Sequence, residues 1–253
     1  MGILKGKTAL ITGTSQGIGA AVSKELIEKG CNVCMHYFAS ALIPEQMKRL
    51  AEEKGQKALI LQSDLTKEDE TVLCIRKAVD YFGTFDILVN NSGALVERRT
   101  VSQIDMDYWQ NLININITSM MLVTRELLPA MNRKDGASIV NLGSLAGRKG
   151  GHAGSLVYST MKGAVLTWTR ALASELGPEG IRINAVAPGF IEGTRFHEEF
   201  TTRESAMKTI ENIPLGRSGN PEDVARAVAF LASEYDGFIT GETLDINGGI
   251  YCA

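Results

Sequence analysis

Histidine, cysteine, proline and aromatic residues are scarce in this chain: three His, four Cys, six Pro and 6% Phe, Trp and Tyr among 253 residues. Cys31 and Cys34 have C-x-x-C spacing, but no second pair or histidine cluster completes a zinc site. In "GCNVCMHYF" both read as small hydrophobes of a buried strand. Blocks of like charge are absent too: the net charge is −3, and scattered Lys and Arg make no stripe for nucleic acid or a membrane surface. No run reaches the ~18 apolar residues of a membrane span. The first residues lack a charged-then-apolar leader. These absences lead us to expect a soluble, reduced, cytoplasmic protein with no metal, nucleic-acid or membrane partner.

What is present suits a large core, with 44% hydrophobic and 22% charged residues. Two glycine signatures overlap in "KGKTALITGTSQGIGAA". A triphosphate loop needs G-x-x-x-x-G-K-[ST] after a strand, whereas "GKT" precedes the apolar run "TALIT" and Gly2 is one residue too close to Gly6. That reading fails. The second signature lies between "TALIT" and "IGAAVSKELIEKG", apolar at helical spacing and ended by a glycine. Gly13, Gly17 and Gly19 would let the backbone approach a pyrophosphate at a helix N-terminus. On its own, the triplet also fits a plain strand–turn–helix junction.

Strand candidates recur at Ala9–Thr12, Asn32–His36, Ala58–Gln62, Ile87–Asn90, Ser138–Leu142, Ile181–Val186 and Thr243–Ile246. Helical stretches separate nearly all of them. This rhythm predicts one doubly wound, Rossmann-type α/β domain over residues 1–253, with a parallel sheet of about seven strands covered on both faces. The polar–aromatic stretch Phe190 to Asn212 interrupts it and predicts one or two short helices, a substrate lid over the sheet's carboxyl edge at about 190–212.

Chemistry-bearing residues fall at strand ends or on helices reaching that edge. "DILVNNSG" sets Asn90, Asn91, Ser92 and Gly93 after the fourth strand, and "IVNLGSLAG" sets Ser144 after the fifth. Asn116 lies in the helix between them, and "YSTMK" places Tyr158 and Lys162 four residues apart on one helix face. A free phenol has a pKa near ~10 and is a poor base at neutral pH; an adjacent ammonium would lower it. Tyr158 would then exchange a proton near working pH, with Ser144 holding the substrate oxygen. An isolated Y-x-x-x-K is more often a solvated helix pair.

Here it is not isolated. "TGTSQGIG", Asp64-Leu65, "NNSG", Asn116, Ser144, "YSTMK" and "INAVAPGFIEGT" occur in order, and over its whole length the chain resembles the short-chain dehydrogenase/reductase family. That resemblance implies a metal-free oxidoreductase acting on CH–OH donors, with hydride transfer between nicotinamide and a carbonyl or secondary alcohol. Tyr158 would move the proton and Ser144 polarise the oxygen. Lys162 would bind the nicotinamide ribose, and Asn116 would support a relay water. Gly13, Ser15, Gln16, Gly17, Ile18 and Gly19 would line the pyrophosphate. Tyr37, Asp64 and Leu65 would serve the adenosine end; Asn90, Ser92 and Gly93 the ribose; Pro188, Gly189, Ile191 and Thr194 the nicotinamide side. "PGFIEGTRF" carries an extra Gly193, which leaves Thr194 open.

Relatives that use NAD place a carboxylate at the end of strand two, where this chain has His36, Tyr37 and Phe38. NADP(H) is therefore favoured, with NAD(H) the alternative. His36 reads as a packed strand-end residue rather than a phosphate contact. Many sequences of this shape are 3-oxoacyl-acyl-carrier-protein reductases, which hold an acidic carrier with basic residues near the entrance. Glu179 stands where such a basic residue is usual, which favours a small substrate such as a sugar, sugar acid or keto acid. Arg98, Arg99, Arg148, Lys149, His152, Arg195, Phe196 and His197 would surround it, with Arg148, His152 and Phe196 as substrate contacts. A scaffold or sensor without turnover is the remote alternative. The helices carrying Asn116 and Tyr158 have small or apolar outward positions such as Ala164, Leu166, Trp168 and Ala171; the resemblance implies that these helices and the C-terminal "TGETLDINGGIYCA" build a dimer of dimers, a homotetramer.

Overall fold

The computed structural model describes residues 4–233 and 237–253, with the side chains of 195–197 outside that description. Seven parallel strands form one sheet: β1 (Thr8–Ile11), β2 (Asn32–Tyr37), β3 (Ala58–Gln62), β4 (Ile87–Asn90), β5 (Ala137–Leu142), β6 (Ile181–Pro188) and β7 (Thr243–Ile246), in the order β3-β2-β1-β4-β5-β6-β7. Every strand lies within a few residues of its expectation. The β1–β4 boundary is where the winding reverses, leaving a crevice at the carboxyl ends of those two strands.

Successive residues of each strand enter opposite layers, because side chains alternate across a pleated sheet. Ala9, Ile11, Val33, Met35, Ile87 and Val89 pack in one core with residues of α1 (Gly17–Glu28), α2 (Leu42–Glu53) and α10 (Pro221–Ala232). Leu10, Cys34, Leu88 and Ile139 pack in the other, under α3 (Glu68–Phe82), α5 (Ser119–Leu127) and α7 (Leu156–Leu176). Burial on both faces makes the strands near-continuous apolar runs. The same alternation separates Cys31 and Cys34, one in each core. Both are fully buried, and burial pushes both thiols up, Cys31 to about 12.

Between α4 (Met106–Ile113) and α5 the helix widens into a π turn over Asn114–Thr118, centred on Asn116. The spacing predicts only a helix there. A smaller core of Tyr108, Leu112, Val157 and Met161 joins α4 to α7. The short α6 (Leu145–Lys149) lies against α7 with its backbone close: a Cβ on Gly147 would come within 2.6 Å of the Lys162 carbonyl carbon. The 190–212 stretch forms α8 (Arg195–Phe200) and α9 (Arg203–Glu211), and Ile191 bridges to Gly219. Among the described residues, no helix is long and apolar enough to cross a membrane.

Candidate active site

The site is built on the carboxyl ends of β1, β4, β5 and β6. Thr12, one residue past β1, is buried, and its hydroxyl accepts from the Asn91 and Ser92 amides at 3.0 Å each. Asn91 returns the contact by donating Nδ2 to the Thr12 and Gly13 carbonyls at 2.9 Å. The glycine turn and the "NNSG" turn are thus tied across the winding reversal. Gly13 and Gly17 have φ of +71° and +54°, which a side chain would strain. Gly19 is required for space: a Cβ there would stand 2.2 Å from the Gly13 carbonyl oxygen.

Helix α1 then starts without a side-chain cap, since Gln16 is extended and bonds no first-turn amide, and no acidic residue stands in that turn. Uncapped amides and an open helix dipole suit an anion. The Ser15 hydroxyl donates to the Ser40 carbonyl at 2.9 Å, tying the turn to the chain after β2. Thr194 comes to the same place from the other side, its methyl 3.4 Å from where a Gly17 Cβ would be, while its hydroxyl donates to Ile191. These residues fit the pyrophosphate of a dinucleotide, and Thr194 does reach the turn despite the extra Gly193.

The remaining expected cofactor residues divide between surface and core. Tyr37 is half-buried and Phe38 exposed at the end of β2. The Asp64 carboxylate accepts from the Thr66 amide and hydroxyl and pairs with Lys67, and it lies below the usual range despite partial burial. Leu65 and Ile191 are core side chains, so only their backbones could meet a ligand. Asn90 is spent inward, donating to Thr124 and Asn141. Pro188 is buried, and the Gly189 amide donates to Ile246.

The four expected catalytic residues meet at the ends of β4 and β5. Ser144 caps α6 by accepting from the Ala146 amide at 3.1 Å, and it is hydrogen-bonded to Tyr158 on α7. Lys162, one turn further, is buried and donates to the Leu142 carbonyl at 2.7 Å, with Nζ 5.8 Å from the Tyr158 ring centre. Asn116 clamps the "NNSG" turn: Oδ1 accepts from Ala94, and Nδ2 donates to the Ala94 and Leu112 carbonyls. A Cβ on Gly93 would fall 2.8 Å from Asn116 Oδ1 and 3.1 Å from Lys162 Nζ, so glycine leaves a cradle over both.

The electrostatics correct one expectation. Tyr158 is not lowered: desolvation pushes its phenol up to about 12, opposed only by the bond to Ser144. Burial likewise lowers Lys162 to about 8. Desolvation is the larger influence on each group, and the Lys162 ammonium is directed at the Leu142 carbonyl rather than at the phenol.

Three further expectations change. Arg148 is turned away, donating to the Asp245 carboxylate at 3.2 Å and the Thr243 carbonyl at 2.7 Å on β7, so it is spent rather than offered to a substrate. Glu179 precedes β6 at the opposite, amino edge of the sheet and pairs with Arg133, so its charge does not bear on this entrance. Leu166 faces inward, buried over Gly143. His152 is exposed in the loop between α6 and α7, at the rim. The Phe196 side chain, with those of Arg195 and His197, lies outside the described residues.

Two rim features carry no local sequence signal. Val96 has φ +67°, and Glu97 donates its amide back to Leu95 at 2.9 Å, a strained three-residue γ-turn. Arg98, two residues on, donates to the carbonyls of Ala153 and Phe200 and so joins three carboxyl-edge segments. No carboxylate pairs with it among the described residues.

A doubly wound sheet, an anion-ready helix start at its winding reversal, and a Ser–Tyr pair beside a buried lysine are the features expected of an oxidoreductase site. Comparison with known proteins agrees. The family model described as "Enoyl-(Acyl carrier protein) reductase" matches residues 13–251. The 3-oxoacyl-[acyl-carrier-protein] reductase FabG of Vibrio harveyi is 36% identical over 248 residues, 98% of each chain. Among solved structures, an NADH-dependent reductase A1-R′ responsible for alginate metabolism shares 30% identity over the whole of both chains, with a TM-score of 0.89. A blue fluorescent protein from a metagenomic library, in complex with NADPH, shares 30% identity over 98% of this chain and 99% of that one, with a TM-score of 0.90. The chain belongs to the short-chain dehydrogenase/reductase family, and it is an enzyme interconverting CH–OH and carbonyl groups with a nicotinamide cofactor.

Proposed function

We propose that this enzyme acts on a small polar carbonyl or secondary alcohol, a sugar, sugar acid or keto acid, with NADP(H) favoured over NAD(H). The observation that carries the reaction is the hydrogen-bonded Ser144–Tyr158 pair beside the cradle over Gly93. The bound nicotinamide supplies or accepts the hydride. Ser144 holds the substrate oxygen, and Tyr158, protonated at neutral pH, gives that oxygen its proton during reduction. Lys162 holds the nicotinamide ribose hydroxyls, and Asn116 keeps the "NNSG" turn in place. Residues 190–212 act as the lid of a single domain spanning 1–253.

The substrate reading is supported by Arg98, a guanidinium at the rim whose partners among the described residues are carbonyls, which favours an anionic group. The absence of a carboxylate at the end of β2 supports NADP(H), while neighbours named for NADH and NADPH keep both in view. A second reading, 3-oxoacyl-acyl-carrier-protein reductase, is favoured by the curated relatives, and the position of Glu179 removes the charge argument against it. We also propose a homotetramer. Exposed Ala164 and Ala171 on α7 support it, as does the buried Trp168 indole N–H, which has no partner among the described residues.

The test is steady-state reduction of sugar-derived keto acids and of acetoacetyl thioesters with each cofactor. Tyr158→Phe should cut turnover roughly 10²–10⁴-fold with cofactor affinity retained. Survival of activity would overturn the proton-transfer role. Preference for the thioester would select the second reading, and a monomer by light scattering would refute the tetramer.

A further inference from the structure

Among the described residues His36 is the one buried histidine, 4% exposed at the end of β2, and the chemistry above does not use it. Both ring nitrogens are engaged. Nε2 lies 3.0 Å from the Ser63 carbonyl, which can only accept, so this nitrogen carries the proton. The other nitrogen, Nδ1, is then a lone-pair acceptor, and the Gly13 amide donates to it at 3.3 Å. The backbone of the same residue grips the next position: its carbonyl accepts from both the amide and the hydroxyl of Thr14, at 3.0 Å each. On the far side Asn91 holds the Gly13 carbonyl. Gly13, in its left-handed conformation, is therefore fixed through its amide by His36 and through its carbonyl by Asn91.

We propose that His36 is a positioning residue for cofactor binding, holding the glycine turn in the shape that accepts the pyrophosphate. It links that turn to the Ser63–Asp64 corner, where the adenosine end is expected. The inference rests on the reading of the glycine turn as the cofactor site. The side chain needed there must offer an acceptor to Gly13 and a donor to Ser63 about an imidazole width apart. A neutral imidazole does both in one rigid ring. An arginine or carboxylate would satisfy one partner and repel or orphan the other.

Titration of nicotinamide fluorescence with NADPH and with NADH tests this on the full-length protein and on His36→Phe, His36→Asn and His36→Gln, with thermal unfolding of each apo variant alongside. Asparagine keeps an acceptor near the Nδ1 position, whereas glutamine reaches only toward Ser63. His36→Phe and His36→Gln should weaken binding roughly 5–50-fold, and His36→Asn should recover most of that loss. At saturating cofactor, kcat should stay within about threefold of wild type throughout, because the proton-transfer residues are untouched. Wild-type binding by the folded Phe variant would overturn the proposal. So would equal affinities of the Asn and Gln variants, a comparison that decides the matter if the Phe variant fails to fold. Failure of the wild type itself to bind either cofactor would instead refute the parent reading of the turn.

Discussion

Lys162 donates a 2.7 Å hydrogen bond to the carbonyl of Leu142, the last residue of β5. Two residues later the same strand end delivers Ser144, the hydrogen-bond partner of Tyr158. The buried ammonium is thereby anchored to the backbone that positions the hydroxyl pair. This matters for Tyr158 because the Lys162 ammonium is directed at the backbone, and desolvation governs the phenol.

With Tyr158 pushed up to about 12, the phenol is protonated at neutral pH and ready to donate. Reduction has its acid in hand, whereas alcohol oxidation needs the phenolate, so the oxidative rate should climb with pH from 7 to 9. Ser144→Ala removes the bond that opposes the rise. It should lower kcat roughly 10²-fold and move the oxidative limb to higher pH. A pH-independent oxidative rate would count against this assignment.

Burial lowers Lys162 from 10.5 to about 8. At pH 7 the folded protein thus carries a costly buried charge. Between about pH 8 and 10.5 the unfolded chain binds more protons than the native one, and wild-type stability should rise with pH. The full shift corresponds to an upper bound of roughly 3 kcal/mol, reduced by the loss of the Leu142 bond. Lys162→Met should therefore abolish turnover while melting at or above the wild-type temperature at pH 7, without the alkaline gain. Strong destabilisation at pH 7 would refute the cost.

Arg148 and Asp245 form a largely buried ion pair, with side-chain exposures of 17% and 19%. Arg148→Ala should cost about 1–3 kcal/mol, a drop of several degrees in Tm, because Asp245 is left without its partner. The value of kcat/KM should remain within about twofold of wild type. A tenfold rise in KM at unchanged Tm would return Arg148 to the substrate site.

Val96 is β-branched and left-handed, a conformation costing about 1–3 kcal/mol. Val96→Gly should relieve this, less the chain entropy glycine gives up on folding, for a net gain of roughly 1 kcal/mol. Val96→Ala keeps the Cβ and should gain much less. Calorimetry of the three proteins decides it, and a destabilised glycine variant would show that the turn is unstrained.

The strands were legible in the sequence because a sheet buried on both faces demands short apolar runs, and glycine and proline punctuate their ends. The glycine turn, Ser144 and the Tyr158–Lys162 pair were legible too, since each depends on order along the chain. Helical spacing also brought Tyr158 and Lys162 to one face. Spacing could not say what that face would meet. Only the packed structure turned Lys162 toward Leu142, spent Arg148 on β7, set Glu179 at the opposite edge and gave both nitrogens of His36 a partner. Those contacts join residues 20 to 97 positions apart, and desolvation depends on everything packed around a group. Local pattern determined which residues could do the chemistry. Long-range packing decided their partners, and with them their charge states.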